Sequence, residues 1–116
     1  VMFSSTSFAG WTKIGTTENG NTFYVDFERI RKHGGSVYFW VLSDYLKPSK
    51  YGDLSSKVYW EGDCKLFRMM RLSASYHTQP MGEGQPSKTG VSKNQQWKYP
   101  PPNSAIETIL KSVCSR

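Results

Sequence analysis

The sequence predicts an α+β, mainly β fold: an antiparallel β-sheet of about five to six strands with a C-terminal α-helix packed on one face and tied to it by a disulfide. Three observations predict it. A long stretch, 56–77, alternates apolar and polar residues, as a half-buried strand does. A short C-terminal stretch instead spaces Ile106, Ile109, Leu110 and Val113 as one helical stripe. Each of these two stretches carries one of the chain's 2 cysteines, Cys64 and Cys114.

Residues 11–16 read as a first strand. Asn19-Gly20 follows, a strong hairpin signal because Asn and Gly both tolerate positive φ, and 22–27 returns as the second strand. Residues 28–33 are charged and suit a helical turn or a short strand, which Gly34-Gly35 breaks. The third strand is 36–46; Val37 to Leu42 are apolar without interruption, so it is expected to be central and covered on both faces. A loop over 47–54 carries Pro48 and Gly52.

In the 56–77 stretch the even positions include Val58, Trp60, Gly62, Cys64, Leu66, Arg68, Met70 and Leu72, and define the expected buried face. Gly62-Asp63 marks a bend, bulge or tight turn within it. Residues 78–95 read as a polar loop and 96–99 as a last short strand, ended by Pro100-Pro101-Pro102. Ser104 and Glu107 have capping-box spacing and start the helix. Cys114 lies at steps of four from Ile106 and Leu110, so both cysteines face one core. Their bond should stabilise the fold by about 4 kcal/mol in the chain-entropy account.

The length of 116 residues suits one domain, and 6 Phe, 7 Tyr and 4 Trp give it a bulky core. A formal charge of +6 comes from scattered basic residues, with Arg29, Arg31 and Lys32 the only tight cluster. Scatter of this kind argues against a nucleic-acid stripe. No apolar run reaches the length of a membrane span. Residues 1–9 are small, apolar and uncharged, and Ser7 and Ala9 fit the pockets of a signal peptidase cutting before Gly10. The expectation is therefore a signal-peptide remnant, the alternative a flexible arm. Export to the periplasm or beyond suits a disulfide.

Motifs that would mark other chemistry are incomplete. Residues 82–89 approach a phosphate-binding loop, but Ser87 replaces the second glycine and no apolar helix follows. His77 and Met81, with Met69 and Met70, suit Cu(I) by ligand type, yet only Met70 shares the expected core parity; no metal and no cofactor is expected. A Ser with His33 or His77 and Asp26 or Asp44 lacks any nucleophile signature, so no catalytic residues are assigned. Arg68 is the one charge on the even face, read either as snorkelling near a strand end or paired with an acid such as Asp26 or Asp44, or as a ligand or partner contact. On the odd face Tyr59, Phe67 and Met69 interleave with Lys57, Lys65 and Arg71, the expected partner-binding patch.

Trp11, Asn19-Gly20, Tyr24-Val25-Asp26, Trp40 to Tyr45, Ser55-Ser56-Lys57, Asp63-Cys64, Met81-Gly82 with Gly84, Trp97 with Tyr99, Pro102 with Ser104, and Val113-Cys114 together resemble the surface-adhesin protein E family of Gram-negative bacteria. The resemblance spans 11–114 and marks 10–116 as a single domain of that type. It implies an antiparallel sheet with a disulfide-tied C-terminal helix, homodimers and, for the founding adhesin, binding to host extracellular-matrix and serum proteins. The founding adhesin is lipid-anchored; here no cysteine stands at the expected cut. The function expected is an exported, non-enzymatic module that recognises a protein partner. The alternatives are a structural or regulatory periplasmic protein, acting as a homodimer or on another envelope protein, and a small periplasmic hydrolase.

Overall fold

The computed structural model describes residues 10–116. The expected signal-peptide segment, 1–9, lies outside the described residues. Seven strands among the described residues form one antiparallel sheet: β1 (Trp11–Thr16), β2 (Thr22–Asp26), β3 (Arg31–His33), β4 (Ser36–Asp44), β5 (Ser55–Asp63), β6 (Arg68–His77) and β7 (Lys88–Val91). The strand order is β1-β2-β4-β5-β6-β7, with β3 also paired to β4. One α-helix among the described residues, α1 (Ala105–Cys114), lies on one face. The sheet therefore has one or two strands more than the sequence predicts. The additions are short: β3 is recruited by the tight Gly34-Gly35 turn, and β7 by pairing Lys88–Val91 with Tyr76 to Ser73.

β4 is central. Its far half, Val41 to Asp44, pairs with β2, and its near half, Ser36 to Tyr38, pairs with β3. Between β2 and β3 the chain makes one 3-10 turn at Phe27–Arg29, capped by the Asp26 carboxylate accepting from the Glu28 amide at 3.2 Å. The β1–β2 hairpin forms as the Asn-Gly signal predicts, but only Gly20 takes positive φ, at 87°, and the loop runs over five residues, 17–21. Gly34 and Gly35 both take positive φ, which closes a two-residue hairpin between His33 and Ser36.

The 56–77 stretch is two strands joined by a turn at Cys64 to Phe67. Asp63 caps that turn, its Oδ1 accepting from the Lys65 and Leu66 amides at 3.1 Å each. The turn reverses the side-chain parity: Gly62 stands opposite Met69, so odd-numbered Met69 faces the core and Met70 the other side. A bulge opposite Tyr59 and Trp60 then restores the original parity, which places Ala74 opposite Val58. A single period-two reading of the whole stretch is therefore right for β5 and wrong for the start of β6.

The core joins Val25, Val37, Phe39, Val41 and Met69 from the sheet to Ile109, Leu110 and Val113 from α1. Ser104 caps α1 by accepting from the Glu107 amide at 3.1 Å; the Glu107 carboxylate reaches back to the Asn103 amide rather than to Ser104. Ile106, expected in the stripe, is 37% exposed, and the buried residues of α1 are Ile109, Leu110 and Val113. Cys64 and Cys114 are bonded, with Cα atoms 5.7 Å apart. The staple thus ties the tip of the β5–β6 hairpin to the last turn of α1.

Candidate functional site

The helix covers one face of the sheet and leaves the other to be built by alternation along each strand. On β4, Val37, Phe39 and Val41 point to the helix while Tyr38, Trp40 and Leu42 point away. Leu42 alone among these three is buried, beneath a 3-10 turn at Pro80–Gly82; Tyr38 and Trp40 stay half-buried. The expected cover on both faces of β4 is therefore complete only at its Leu42 end. Register places Trp40 opposite Tyr59 of β5. Their rings lie 4.7 Å apart at 35°, and Tyr38 extends the row to Tyr59 at 6.2 Å and 27°. The three neighbouring rings form a ridge across the two central strands. Burial in the row, and then the Glu61 carboxylate, push the Tyr38 phenol above its ordinary range.

Trp40 separates two recesses on this open face. One, about 200 Å³, is lined by Trp11, Asp26, Arg29, Trp40, Lys57 and Ser75. The other, about 630 Å³, is lined by Glu28, Arg29, Ile30, Arg31, Trp40 and Tyr59. Asp26 is buried and pairs with Arg29 Nε at 3.4 Å. Lys57 lies on β5 opposite Ser75 of β6. Its stem is held against Gly82, where an added Cβ would stand 3.1 Å from Lys57 Cδ. No hydrogen bond or ion pair engages the Lys57 ammonium among the described residues. Behind Ser75, its Oγ lies 2.9 Å from His77 Nε2. His77 is buried, and its Nδ1 has no hydrogen-bond partner among the described residues. Desolvation, and then the Lys57 charge, hold its pKa below the ordinary value.

The far end of the open face is clamped by polar contacts. Ser55 Oγ donates to the Gln79 carbonyl at 2.6 Å and accepts from the Gly82 amide at 2.8 Å, and Asp44 accepts from the Met81 amide at 2.8 Å. Ser87 donates to Asp53 at 2.7 Å. The stretch resembling a phosphate-binding loop is thus a pinned turn leading into β7, with no helix after it.

The expected partner patch is not one surface. Met69 is 1% exposed and belongs to the core. Phe67, at φ 53° in the hairpin turn, also packs against it. Lys65 sits at the exposed hairpin tip. Arg71 stands opposite Trp60 on the helix side of the sheet and donates to the Tyr76 hydroxyl at 2.6 Å. Arg68 pairs with Asp63 at 3.0 Å, not with Asp26 or Asp44, and lies 4.4 Å from the centre of the Trp97 ring. Of the seven residues only Tyr59 and Lys57 join the ridge and its recesses; Arg68 lies on the same side of the sheet but is held at the β5–β6 hairpin end by Asp63 and Trp97. The parity reversal at the Cys64–Phe67 turn carries Met69 and Arg71 to the helix side. The partners missed, Trp11, Arg29, Tyr38 and Trp40, come from three other segments. No alternation marked them, since Val37 to Leu42 run apolar or aromatic without a break.

The copper reading is not assembled either, since Met69 and Met70 point to opposite faces of β6. Among the described residues no cluster of three or more His, Cys, Asp or Glu side chains could hold a metal. Ser75 and His77 touch, but no carboxylate orients the imidazole through Nδ1, as a catalytic triad requires.

A disulfide-strapped antiparallel sheet with one face under a helix and the other open, aromatic and edged by cations defines a small binding module. The chain belongs to the surface-adhesin protein E family, whose profile matches residues 11–115. Three solved structures of Haemophilus influenzae protein E share the fold. One crystal form is 16% identical with a TM-score of 0.66, over 92% of this chain and 88% of that one. A selenomethionine form is 17% identical with a TM-score of 0.65, over 92% and 87%. Protein E from a non-typeable strain is 15% identical with a TM-score of 0.63, over 92% and 76%. No curated protein matches the chain. The family is one of non-enzymatic adhesins, and this chain is a surface-adhesin-like binding protein.

Proposed function

We propose that this protein is an exported module that holds a protein partner on the open face of its sheet. The observation that carries the reading is the Tyr38–Tyr59–Trp40 ridge, half-buried across the two central strands and left uncovered by α1. Trp, Tyr and Arg concentrate binding energy at protein interfaces, and here Trp11, Arg29 and Arg31 surround the ridge. The family resemblance favours a partner of extracellular-matrix type and a homodimeric module. Export through a signal peptide ending at residue 9, into the periplasm or to the surface, completes the reading.

The test is solid-phase binding of purified protein to a panel of extracellular-matrix proteins. Wild type should bind at least one, and the double variant Trp40→Ala, Tyr59→Ala should lose at least about tenfold in affinity. Binding that ignores the double variant, or no binding at all, removes the proposal. Light scattering on a sizing column should return twice the 13.2 kDa protomer mass; a monomer at micromolar concentration removes the homodimer.

A further inference from the structure

The smaller recess on the open face is too small for a drug-sized ligand, which occupies about 300–1,000 Å³. At about 200 Å³ it has the capacity of a single side chain. Its walls are two indoles, Trp11 and Trp40. Its charges do not cancel. Asp26 is matched by Arg29 at 3.4 Å and by the Glu28 amide at 3.2 Å. Lys57 has no such match among the described residues. Its stem is fixed against Gly82, and register sets it across from the Ser75 hydroxyl. The recess therefore presents an ammonium and a hydroxyl between two aromatic walls, with the largely exposed Arg29 guanidinium at its rim.

From this arrangement we infer that the recess is an anchor pocket for a carboxylate side chain, an aspartate or glutamate in an acidic segment of a protein partner. The inference rests on the proposed binding face and adds to it the chemistry of what is bound. A carboxylate supplies the negative charge that Lys57 lacks and can accept from the Lys57 ammonium, and from the Ser75 hydroxyl when His77 Nε2–H is the donor in the 2.9 Å bond to Ser75 Oγ. The aromatic walls shield that pair from water, where a charge pair at an exposed rim would contribute little.

Nitrogen-labelled protein is titrated with N-acetyl-hexaglutamate, with hexaglutamine, and with glucuronate, following the four indole N–H signals by NMR. Hexaglutamate should move the Trp11 and Trp40 signals and leave Trp60 and Trp97 in place. Trp97 lies against Arg68, so it reports non-specific attraction to the basic surface. Lys57→Met keeps the stem against Gly82 and should weaken hexaglutamate binding about tenfold. Ser75→Ala should weaken it by a smaller factor, and wild-type spectra elsewhere establish that both variants are folded. Equal shifts with hexaglutamine, movement of all four indoles or none, or unchanged binding by Lys57→Met overturns the inference. Tighter binding of glucuronate than of hexaglutamate also overturns it, in favour of an acidic sugar. A matrix protein that is lost by Trp40→Ala, Tyr59→Ala but kept by Lys57→Met overturns this inference and leaves the proposed function standing.

Discussion

Leu110 of α1 packs directly over Gly62 of β5, and adding one methyl group there measures how tightly helix and sheet are joined. A Cβ on Gly62 would lie 3.0 Å from Leu110 Cδ1, 3.0 Å from Val37 Cγ2 and 3.2 Å from Phe39 Cε1. None of the three neighbours can swing into solvent: Leu110 and Phe39 are 0% exposed and Val37 is 7% exposed. Overpacking of this kind costs about 1–3 kcal/mol. Replacing a strand glycine by alanine returns about 0.5–1 kcal/mol of backbone entropy. The net expectation for Gly62→Ala is a loss of about 1–2 kcal/mol, which lowers the melting midpoint of a domain this size by about 4–8 °C. Gly90 in β7 is the internal control. A Cβ there meets nothing within 4 Å, and Gly90→Ala should be neutral or gain up to about 1 kcal/mol. Thermal unfolding followed by circular dichroism reads both variants. A Gly62→Ala midpoint equal to or above that of Gly90→Ala would refute the close helix–strand contact.

Two further predictions concern the staple and the buried histidine. Replacing both Cys64 and Cys114 by serine opens a loop with a sequence separation of 50 and should cost about 4 kcal/mol, read by urea unfolding; a loss under about 1 kcal/mol would show that the bond does little to restrict the unfolded chain. His77 has a folded pKa held below its ordinary value by desolvation and by Lys57, with the Gly84 and Glu83 backbone and then Asp53 acting in the opposite direction. The unfolded chain then takes up a proton before the folded one does, so this stability is complete above about pH 6.5 and is lost as pH falls towards the folded value. The melting midpoint should drop between about pH 7 and 5, and His77→Gln should flatten that window; an unchanged slope would assign the titration elsewhere.

Much of the fold was legible because its signals are local. Asn19-Gly20, Gly34-Gly35, the apolar run of β4 and the Ser104–Glu107 cap each act within a few residues, and the cysteine pairing follows from the helical spacing of Cys114. The Cys64–Phe67 turn escaped because its sequence holds Leu66 and Phe67, which read as a continuation of the strand. The turn is made instead by Asp63 capping two amides and by Phe67 adopting positive φ. That one reversal moved Met69 into the core and dissolved the expected patch. β7 escaped for another reason: Lys88 to Val91 are all exposed, so the strand exists through backbone pairing alone and leaves no apolar pattern. The open face was legible only in part, at Tyr59 and Lys57. Its other members lie on β1, on β4 and in the Phe27–Arg29 turn, and only the sheet register brings them together.

The staple also sets how the chain transmits tension. A pull along the backbone that reaches Cys64 crosses the sulfur bridge to Cys114 and bypasses the intervening chain, a separation of 50 residues that includes β6, β7 and most of α1. At about 3.4 Å per extended residue, roughly 170 Å of contour stays locked until the bond is reduced. β1 to β5 lie outside that closed loop and can peel away one by one, while the segment inside it can lose its packing but cannot lengthen. Stretching records taken with and without reductant would differ by that withheld length, so the same cross-link that stabilises the resting protein also limits its extension under load.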